Sequence, residues 1–445
     1  MFGGERGAQE IKPPRSDPAE VAERLRRALL LRIDADGRER GLAELDPLLW
    51  PESTHLLSSP RFDEAEALFT RSLADGSLAS IRDPLRRAIL QRDLWAVFDW
   101  LAKRARDLEP TETLPDGPRR ALRLAILLAQ SMKRLALTPA EIVGLPDVYA
   151  AAVASKSWPA EPAGESDGTP SEAAFLPTEL LTPTGPWIEL HGEGEPLTPL
   201  HGAFFDERSI FTVHIRLPGG REEGLKYLAR LREFPSPLVK DENPEHRNNV
   251  PEGVWESPHL NPATPQFPKG TRIALVRRAV LFDADGVLRA TSLIESVQMR
   301  RFRAIAPSVE LGEVFEGERQ HQQLLEFVLD RDKLFRGESG GLRAMAPAEL
   351  AYHQFLGHGE DPLEGPRPER ARPHFDRCME CHGAPGIFSA QSYTRINTGE
   401  GTHFIVPGVP PRPLHGFEVR PPFDVSAKAG RYEWGLLAGL LASSR

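Results

Sequence analysis

The segment 271–297 reads TRIALVRRAVLFDADGVLRATSLIESV and decides how the middle of the chain folds. Residues 271–281 and 287–297 are both rich in β-branched and other apolar residues, which favour strands. The residues between them, 282–286, end in an Asp-Gly step, a strong short-range signal for a β-hairpin. The segment therefore predicts two antiparallel strands joined by a tight turn.

The turn also resembles the first motif of haloacid-dehalogenase-type phosphatases, with AVLFDADGVL at 279–288. In that resemblance, Asp283 would be the nucleophile and Asp285 the acid and base. Such an enzyme then needs a lysine and a late acidic pair in a parallel α/β sheet. The residues after the turn alternate as a strand does, and no Gly-Asp pair with a further acid follows. The hairpin is therefore favoured over the phosphatase site.

Upstream of the hairpin, the sequence continues to favour a mixed α and β structure. Apolar and polar residues alternate from Phe211 to Leu217 and stop at Pro218-Gly219-Gly220, which predicts a strand. The segment 222–234 has the spacing of an amphipathic helix, and 234–270 is rich in Pro and Asn. We expect residues 186–305 to form a small, β-rich α+β domain with a mostly antiparallel sheet.

The N-terminal part of the chain predicts helices. Asp17-Pro18, Asp83-Pro84 and Thr138-Pro139 each place a capping oxygen before a proline, as at the start of a helix. The periodic apolar segments behind them predict an all-α domain over 17–155. Residues 156–185, rich in Pro, Ser, Gly and Glu, are typical of a linker or of a long coil wrapped over a surface.

Composition narrows the class of protein. A chain of 445 residues suggests about two to four domains, and its 40% hydrophobic and 27% charged residues are those of a globular protein. The net charge of −9 argues against a nucleic-acid partner, because phosphate recognition needs a concentrated positive field. We expect no transmembrane segment, since no apolar run reaches the roughly 18–20 residues that a membrane span requires.

The motif that carries chemistry lies near the C-terminal end. The chain has two cysteines, and they stand as Cys378-Met379-Glu380-Cys381 directly before His382. The chance of that arrangement is on the order of one in ten thousand, given the counts of Cys and His. Two thiols three residues apart can add to the two vinyl groups on one edge of haem. The adjacent imidazole is then placed to bind the iron.

Residues 378–382 resemble the haem-attachment site of c-type cytochromes. The resemblance implies one covalent haem c, with Cys378 and Cys381 as thioether residues and His382 as the proximal axial ligand. It also implies a cytochrome c-like domain over 306–445, mostly helix and coil. In such domains the terminal helices pack together beside the haem, here the helix-prone segments 347–356 and 432–441. The whole chain is thus predicted to be a multidomain α+β protein.

Three other interpretations of the motif stay open. Cys378, Cys381 and His382, with His374 as a further ligand, could form a structural zinc site, although adjacent Cys and His make an awkward tetrahedral set. The C-x-x-C pair could be a redox pair, but a thioredoxin-like βαβ context is absent from the sequence pattern. The spacing could also be accidental or belong to a disulfide.

The haem interpretation carries further expectations. The usual distal ligand would be a methionine after the motif, and the sequence has none there. We expect His403, 21 residues beyond His382, to take that position, since the extended chain is long enough to pass the haem edge. The expected function is electron transfer with an unidentified redox partner. The alternative is a haem enzyme with an open distal site that performs peroxide or small-ligand chemistry.

Haem c attachment also bears on the location of the protein. In bacterial c-type cytochromes, which the motif resembles, attachment takes place outside the cytoplasm. We therefore expect a periplasmic or other extracytoplasmic location. The first 16 residues show no apolar core of a signal peptide, so this expectation rests on the motif.

Overall fold

A computed structural model provides the structure of the protein. It describes residues 18–34, 36–42, 49–50, 53–107, 116–159, 174–191, 197–234, 238–239, 259–260, 263–303, 322–349, 361, 363, 374–382, 386–390, 394–398, 401–405, 415–416 and 423–443. Within this part of the chain, no helix combines the length and the apolar character that a membrane span needs.

The N-terminal part is helical, as predicted. Its helices are α1 (Pro18–Leu30), α2 (Ser59–Ala74), α3 (Pro84–Asp107), α4 (Gly117–Leu135), α5 (Pro139–Val143) and α6 (Val148–Ala154). The Thr138 side chain accepts a hydrogen bond from the Glu141 backbone N–H, and the Glu141 carboxylate accepts one from the Thr138 N–H, forming a capping box. A short hairpin of β1 (Arg32–Ile33) and β2 (Glu39–Arg40) interrupts the helices.

The centre of the molecule is a seven-stranded antiparallel sheet. Its strands are β3 (Ile188–His191), β4 (Ser209–Arg216), β7 (Arg272–Phe282), β8 (Leu288–Phe302), β9 (Gln322–Leu329), β10 (Leu342–Ala344) and β13 (His415–Gly416). The order across the sheet is β10-β9-β8-β7-β4-β3-β13. Two separate two-stranded sheets pair β5 (Leu238–Val239) with β6 (His259–Leu260) and β11 (Thr394–Thr398) with β12 (Gly401–Ile405).

The predicted hairpin is confirmed, and its turn explains the Asp-x-Asp-Gly sequence. Asp283 and Val287 close the turn, with the Asp283 N–H donating to the Val287 carbonyl. One carboxylate oxygen of Asp283 accepts from the backbone N–H groups of Asp285 and Val287, and the other accepts from Arg289 at 2.6 Å. Gly286 has a φ of 80°, a left-handed conformation that suits glycine. Asp283 therefore serves the turn, in an antiparallel sheet.

The remaining helices are α7 (Pro199–Phe204), α8 (Gly220–Glu233), α9 (Arg331–Arg336), α10 (His374–His382), α11 (Ile387–Ala390), α12 (Ser426–Ala429) and α13 (Tyr432–Ser443). The α+β class is confirmed, whereas the division into domains stays a prediction. The C-terminal region contains more strand than expected, because β9 and β10 extend the central sheet. Helix α13 packs on α3 and α4, and its Leu437 enters the N-terminal helical core. The resemblance to cytochromes had implied a position beside the motif.

The two faces of the sheet carry different partners. On one face, Val297 and Phe327 pack with α5, α6 and the residues Phe175, Leu176 and Leu180. These three side chains are buried, so the described end of the 156–185 segment lies as a coil against the core. On the other face, Ile215 and Phe302 pack with α8 and α11. Helices α7 and α10 lie on this second face.

Buried ion pairs join the helices to the sheet and its flanking helices. Arg331 binds Asp93 through two hydrogen bonds, Arg92 contacts Glu295 at 3.0 Å, and Asp99 accepts from Arg208 at 2.8 Å and from Lys428 at 2.5 Å. We call these seven residues the helix–sheet junction. All of their side chains are at most 5% exposed, and each acid has a cation within contact distance.

Candidate functional site

Helix α10 carries the whole Cys378–His382 motif. The His374 N–H donates to the Glu349 carbonyl at 2.9 Å, which ties the first residue of the helix to the preceding loop. His374 and Cys378 are four residues apart and therefore lie on the same side of the helix. Cys381 is on the described backbone of α10, but its side chain lies outside the described part of the structure.

The sheet forms the floor beneath α10. Along β8 and β9 the side chains alternate between the two faces, and the face under α10 is polar. Cross-strand pairing sets Gln298 opposite Glu326. The polar floor residues are Gln298 and Arg300 on β8, and Gln322 and Glu326 on β9. We call these four residues, together with His374, Cys378 and His382, the motif pocket.

Cys378 is surrounded by three of these groups. The Gln298 side chain donates to Cys378 Sγ at 3.3 Å and to Glu326 Oε2 at 3.1 Å. His374 Nε2 lies 2.6 Å from Glu326 Oε2 and 3.7 Å from Cys378 Sγ. One ligand atom each of Glu326, His374 and Cys378 falls within 4.8 Å of the others. These three residues form a potential metal-ligand set.

The charges in this cluster are strongly coupled. Burial on its own would lower the pKa of His374, but the Glu326 carboxylate and the Cys378 sulfur outweigh it and raise that pKa to about 11. Burial would likewise raise the pKa of Glu326, but the adjacent His374 lowers it to about 2. At neutral pH the two residues therefore form a buried ion pair.

His382 is buried and held in one tautomer. Its Nδ1 lies 2.7 Å from the backbone carbonyl oxygen of Ser389, which can only accept a hydrogen bond. Nδ1 therefore carries the proton. Burial and the nearby Arg300 hold the pKa of His382 well below its usual range, so the ring is neutral. The lone pair of this neutral imidazole is then on Nε2, the nitrogen through which the ring would bind a metal.

A tight turn brings Ser389 under His382. Gly386 has a φ of 57°, and a Cβ at this position would collide with the side chain of Gln266. Gln266 also accepts a hydrogen bond from the Ile387 N–H at 3.0 Å, and Ile387 is buried in the core under α11. Gly386 and Gln266 thus position the start of α11, and the Ser389 carbonyl in that helix orients His382.

A second imidazole lies beside His382. The ring centroids of His201 and His382 are 6.0 Å apart, and their planes are tilted by 33°. His201 is on α7 and also meets the ring of Phe211 edge to face at 5.7 Å. Burial and then Arg300 lower the pKa of His201 to about 4, so this ring is also neutral at physiological pH.

Arg300 is the uncompensated charge of the pocket. Its guanidinium donates to the carbonyl and hydroxyl oxygens of Ser389, at 3.0 and 2.8 Å. The residue is 7% exposed, and burial lowers its pKa to about 10. Among the described residues no carboxylate pairs with it, which contrasts with every arginine of the helix–sheet junction. A buried cation of this kind favours an anionic ligand.

The structure brings together some of the predicted site residues. Cys378 and His382 lie in one pocket with His374, which the zinc alternative had considered. His403 is on β12 with its backbone opposite Ile396, and its side chain lies outside the described structure. Sequence analysis missed the floor residues and His201. The spacing of two between the polar residues Gln298 and Arg300 is a weak signal for the floor, and nothing local marks His201.

Comparison with known proteins gives no relative. No family model, curated protein or solved structure matches the chain.

Proposed function

We propose that the motif pocket binds one haem c covalently and that the protein transfers electrons. Cys378 and Cys381 would form the thioethers, and His382 would be the proximal axial ligand. Haem c, when bound, supplies reversible one-electron chemistry at its iron. The redox partner would be another protein, and attachment would take place in a periplasmic or other extracytoplasmic compartment.

The observation that carries this proposal is the state of His382. A histidine that binds a metal through Nε2 typically donates its Nδ1 proton to a carbonyl or carboxylate. His382 already makes this bond to Ser389, and it directly follows the C-x-x-C pair in the sequence. Helix α10 thus carries both cysteines and His382, and the Ser389 carbonyl orients the His382 ring.

The charge of the pocket fits the same group. Haem carries two carboxylates, and Arg300 is a buried cation with neutral hydrogen-bond partners among the described residues. An anionic ligand near Arg300 would compensate a charge that is otherwise costly to bury. Arg300 would therefore contribute to holding the cofactor, and its positive charge would raise the reduction potential, since a nearby cation disfavours the oxidised iron.

The floor residues hold the motif helix against the sheet. Gln322 donates to the His382 carbonyl and contacts Met379 Sδ at 3.5 Å, and Gln298 donates to Cys378 Sγ. These contacts fix both ends of the motif on β8 and β9. A rigid pocket of this kind lowers the structural change that accompanies a change of charge, which is what an electron carrier requires.

A second candidate is a zinc site, which one observation favours. Glu326, His374 and Cys378 present three donor atoms within 4.8 Å of one another, and oxygen, nitrogen and thiolate sulfur are all zinc ligands. The two candidates use different residues. Haem attachment needs Cys381 and His382, zinc binding needs Glu326 and His374, and both need Cys378.

This difference provides the experiment. The full chain would be expressed with an export signal in a strain that carries the haem c maturation system, and analysed by mass spectrometry and the pyridine haemochrome spectrum. We expect the mass of one added haem. Cys378→Ser with Cys381→Ser should abolish the addition. Glu326→Gln with His374→Gln is the matched control and should retain it.

Two outcomes would overturn the proposal. An unchanged mass in exported, folded protein would exclude haem c. One zinc per chain, lost with Glu326→Gln and His374→Gln but kept with Cys381→Ser, would establish the zinc site instead.

A further inference from the structure

We infer that His201 is the second axial ligand of the iron, on the side opposite His382. The inference rests on the proposed function, and it names a residue that the sequence did not indicate. It replaces the expectation that His403 takes this position.

The separation of the two imidazoles carries the inference. At a metal–nitrogen distance of about 2 Å, typical of imidazole ligands, two rings on opposite sides of one metal ion have centres about 6 Å apart. The centroids of His201 and His382 are 6.0 Å apart. Aromatic pairs in ordinary contact have centroids about 4.5–7 Å apart, so the distance fits both a direct ring contact and two ligands of one metal ion.

The other described histidines near this sheet are placed differently. His214 is on β4 opposite Ala274, on the face that packs against α5 and α6. His374 is hydrogen-bonded to Glu326 at 2.6 Å. His403 pairs through its backbone with β11 in a separate two-stranded sheet. The side chains of His191 on β3 and His415 on β13 lie outside the described structure, so it is the ring contact with His382 that favours His201.

Helix α7 is held firmly enough to present a ligand. The loop after it places Asp206 and Glu207 at φ values of 51° and 57°, which non-glycine residues rarely adopt. Asp206 is held there by Arg208 at 2.9 Å and by Lys103 of α3. Phe205 packs on Phe211 with ring centroids 5.8 Å apart. The strained turn is thus fixed from both the helices and the sheet.

A second imidazole ligand would favour electron transfer over the haem enzyme as the function of the protein. A sixth protein ligand closes the iron to small molecules, and electron transfer then needs no bond to form or break. With His201 in place, the protein is an electron carrier. An open sixth position would leave the alternative of a haem enzyme.

The test is the spin state of the ferric protein, measured by electron paramagnetic resonance on the full, haem-loaded chain. We expect a low-spin signal in the unaltered protein and a high-spin signal in His201→Ala. Added imidazole should return His201→Ala to low spin, because the free ligand fills the vacated position. His403→Ala is the matched control and should stay low-spin.

The outcomes separate this inference from the proposed function. A low-spin His201→Ala with covalent haem would overturn the assignment of His201 and leave the proposed function standing. A high-spin unaltered protein with covalent haem would overturn the assignment and favour the haem enzyme over electron transfer. If His201→Ala fails to fold, near-infrared magnetic circular dichroism of the unaltered protein decides: the bis-histidine band supports the inference, and a histidine–methionine or histidine–lysine band overturns it. A chain without covalent haem would overturn both.

Discussion

The helix–sheet junction and the motif pocket are both buried and both rich in charge, but they differ in how the charge is compensated. In the junction, Asp93, Asp99 and Glu295 each meet an arginine or lysine, so the region is a set of closed ion pairs. In the pocket, Glu326 and His374 form a pair, whereas Arg300 is bound by the neutral oxygens of Ser389.

The difference separates a structural region from a binding region. A closed buried pair gains little net stability but becomes costly when one partner is removed. An uncompensated buried charge is costly from the outset, and it persists where a ligand supplies the missing charge. We therefore expect the junction to hold the fold together, and the proposed haem would supply the anionic charge that Arg300 lacks among the described residues. Three predictions test this contrast, in a haem-free background that keeps both cysteines and is produced without the haem c maturation system.

The largest effect is expected in the junction. Asp93→Ala leaves Arg331 buried without its carboxylate, since both side chains are 1% exposed. The free energy of unfolding should fall by about 3–5 kcal/mol, measured by chemical denaturation. The control is Asp63→Ala, which removes an ion pair to Arg120 from a side chain that is 59% exposed. It should cost no more than about 1 kcal/mol. Equal losses in the two variants would contradict the assignment of the junction.

The second prediction concerns pH and distinguishes the two buried pairs. The pKa of His374 rises from 6.5 to about 11, so its contribution is complete below pH 6.5 and is lost as pH rises toward 11. The pKa of Glu326 falls from 4.5 to about 2, so its contribution is complete above pH 4.5 and is lost toward pH 2. From pH 6 to 9 the pocket pair should therefore weaken.

The measurement compares the unfolding free energy with and without that pair. The difference between the background protein and its Glu326→Gln, His374→Gln variant should shrink by roughly 3 kcal/mol from pH 6 to pH 9. The difference produced by Asp93→Ala is the reference, and it should not show this decrease, because the Asp93–Arg331 pair contains no histidine. A pocket difference that does not change with pH would mean that His374 is neutral.

The smallest change in stability is expected at Arg300. Arg300→Gln removes hydrogen bonds to Ser389 but also removes an uncompensated charge, so the unfolding free energy should change by less than about 1 kcal/mol in the haem-free background. In the haem-loaded protein with both cysteines, the same variant should lower the midpoint potential by tens of millivolts, because a cation near the iron is lost.

A matched arginine serves as the control for this prediction. Arg343 is on β10 and makes two hydrogen bonds to Glu349, so its charge is already compensated. Arg343→Gln should leave the midpoint potential within experimental error. A loss of stability in Arg300→Gln as large as that in Asp93→Ala would instead show that a carboxylate from elsewhere in the chain pairs with Arg300.

The features that depend on neighbouring residues were predicted correctly. The capping box at Thr138 and the Asp-Gly turn at 285–286 each need only neighbouring residues, and both are present. The motif could also be recognised, because covalent attachment requires a fixed spacing. The strands β9 and β10 were missed because the resemblance to cytochromes had assigned 306–445 to helix and coil. The QQLLEFVL segment at 322–329 is mostly apolar but does not alternate with a period of two, so its pattern alone does not identify a strand.

The residues that surround the motif could not be predicted from the sequence, because they come from distant parts of the chain. Glu326 and His374 are 48 residues apart, and Gln298 and Cys378 are 80 apart. Alternation along β8 and β9 fixes which residues share a face, but it does not say which helix covers that face. His201 and His382 meet because α7 and α10 pack on the same side of the sheet. The periodicity of the sequence does not predict this packing.

The sequence by itself determined the hairpin at Asp283, the helix starts and the Cys378–His382 motif, on which the proposed chemistry rests. These features depend on backbone conformation and on side chains within a few residues, so the local sequence is enough to predict them. The tertiary structure decided the tautomer of His382, the uncompensated charge of Arg300 and the meeting of His382 with His201. These depend on burial and on pairing between strands and helices far apart in the chain, which only the packed fold brings into contact.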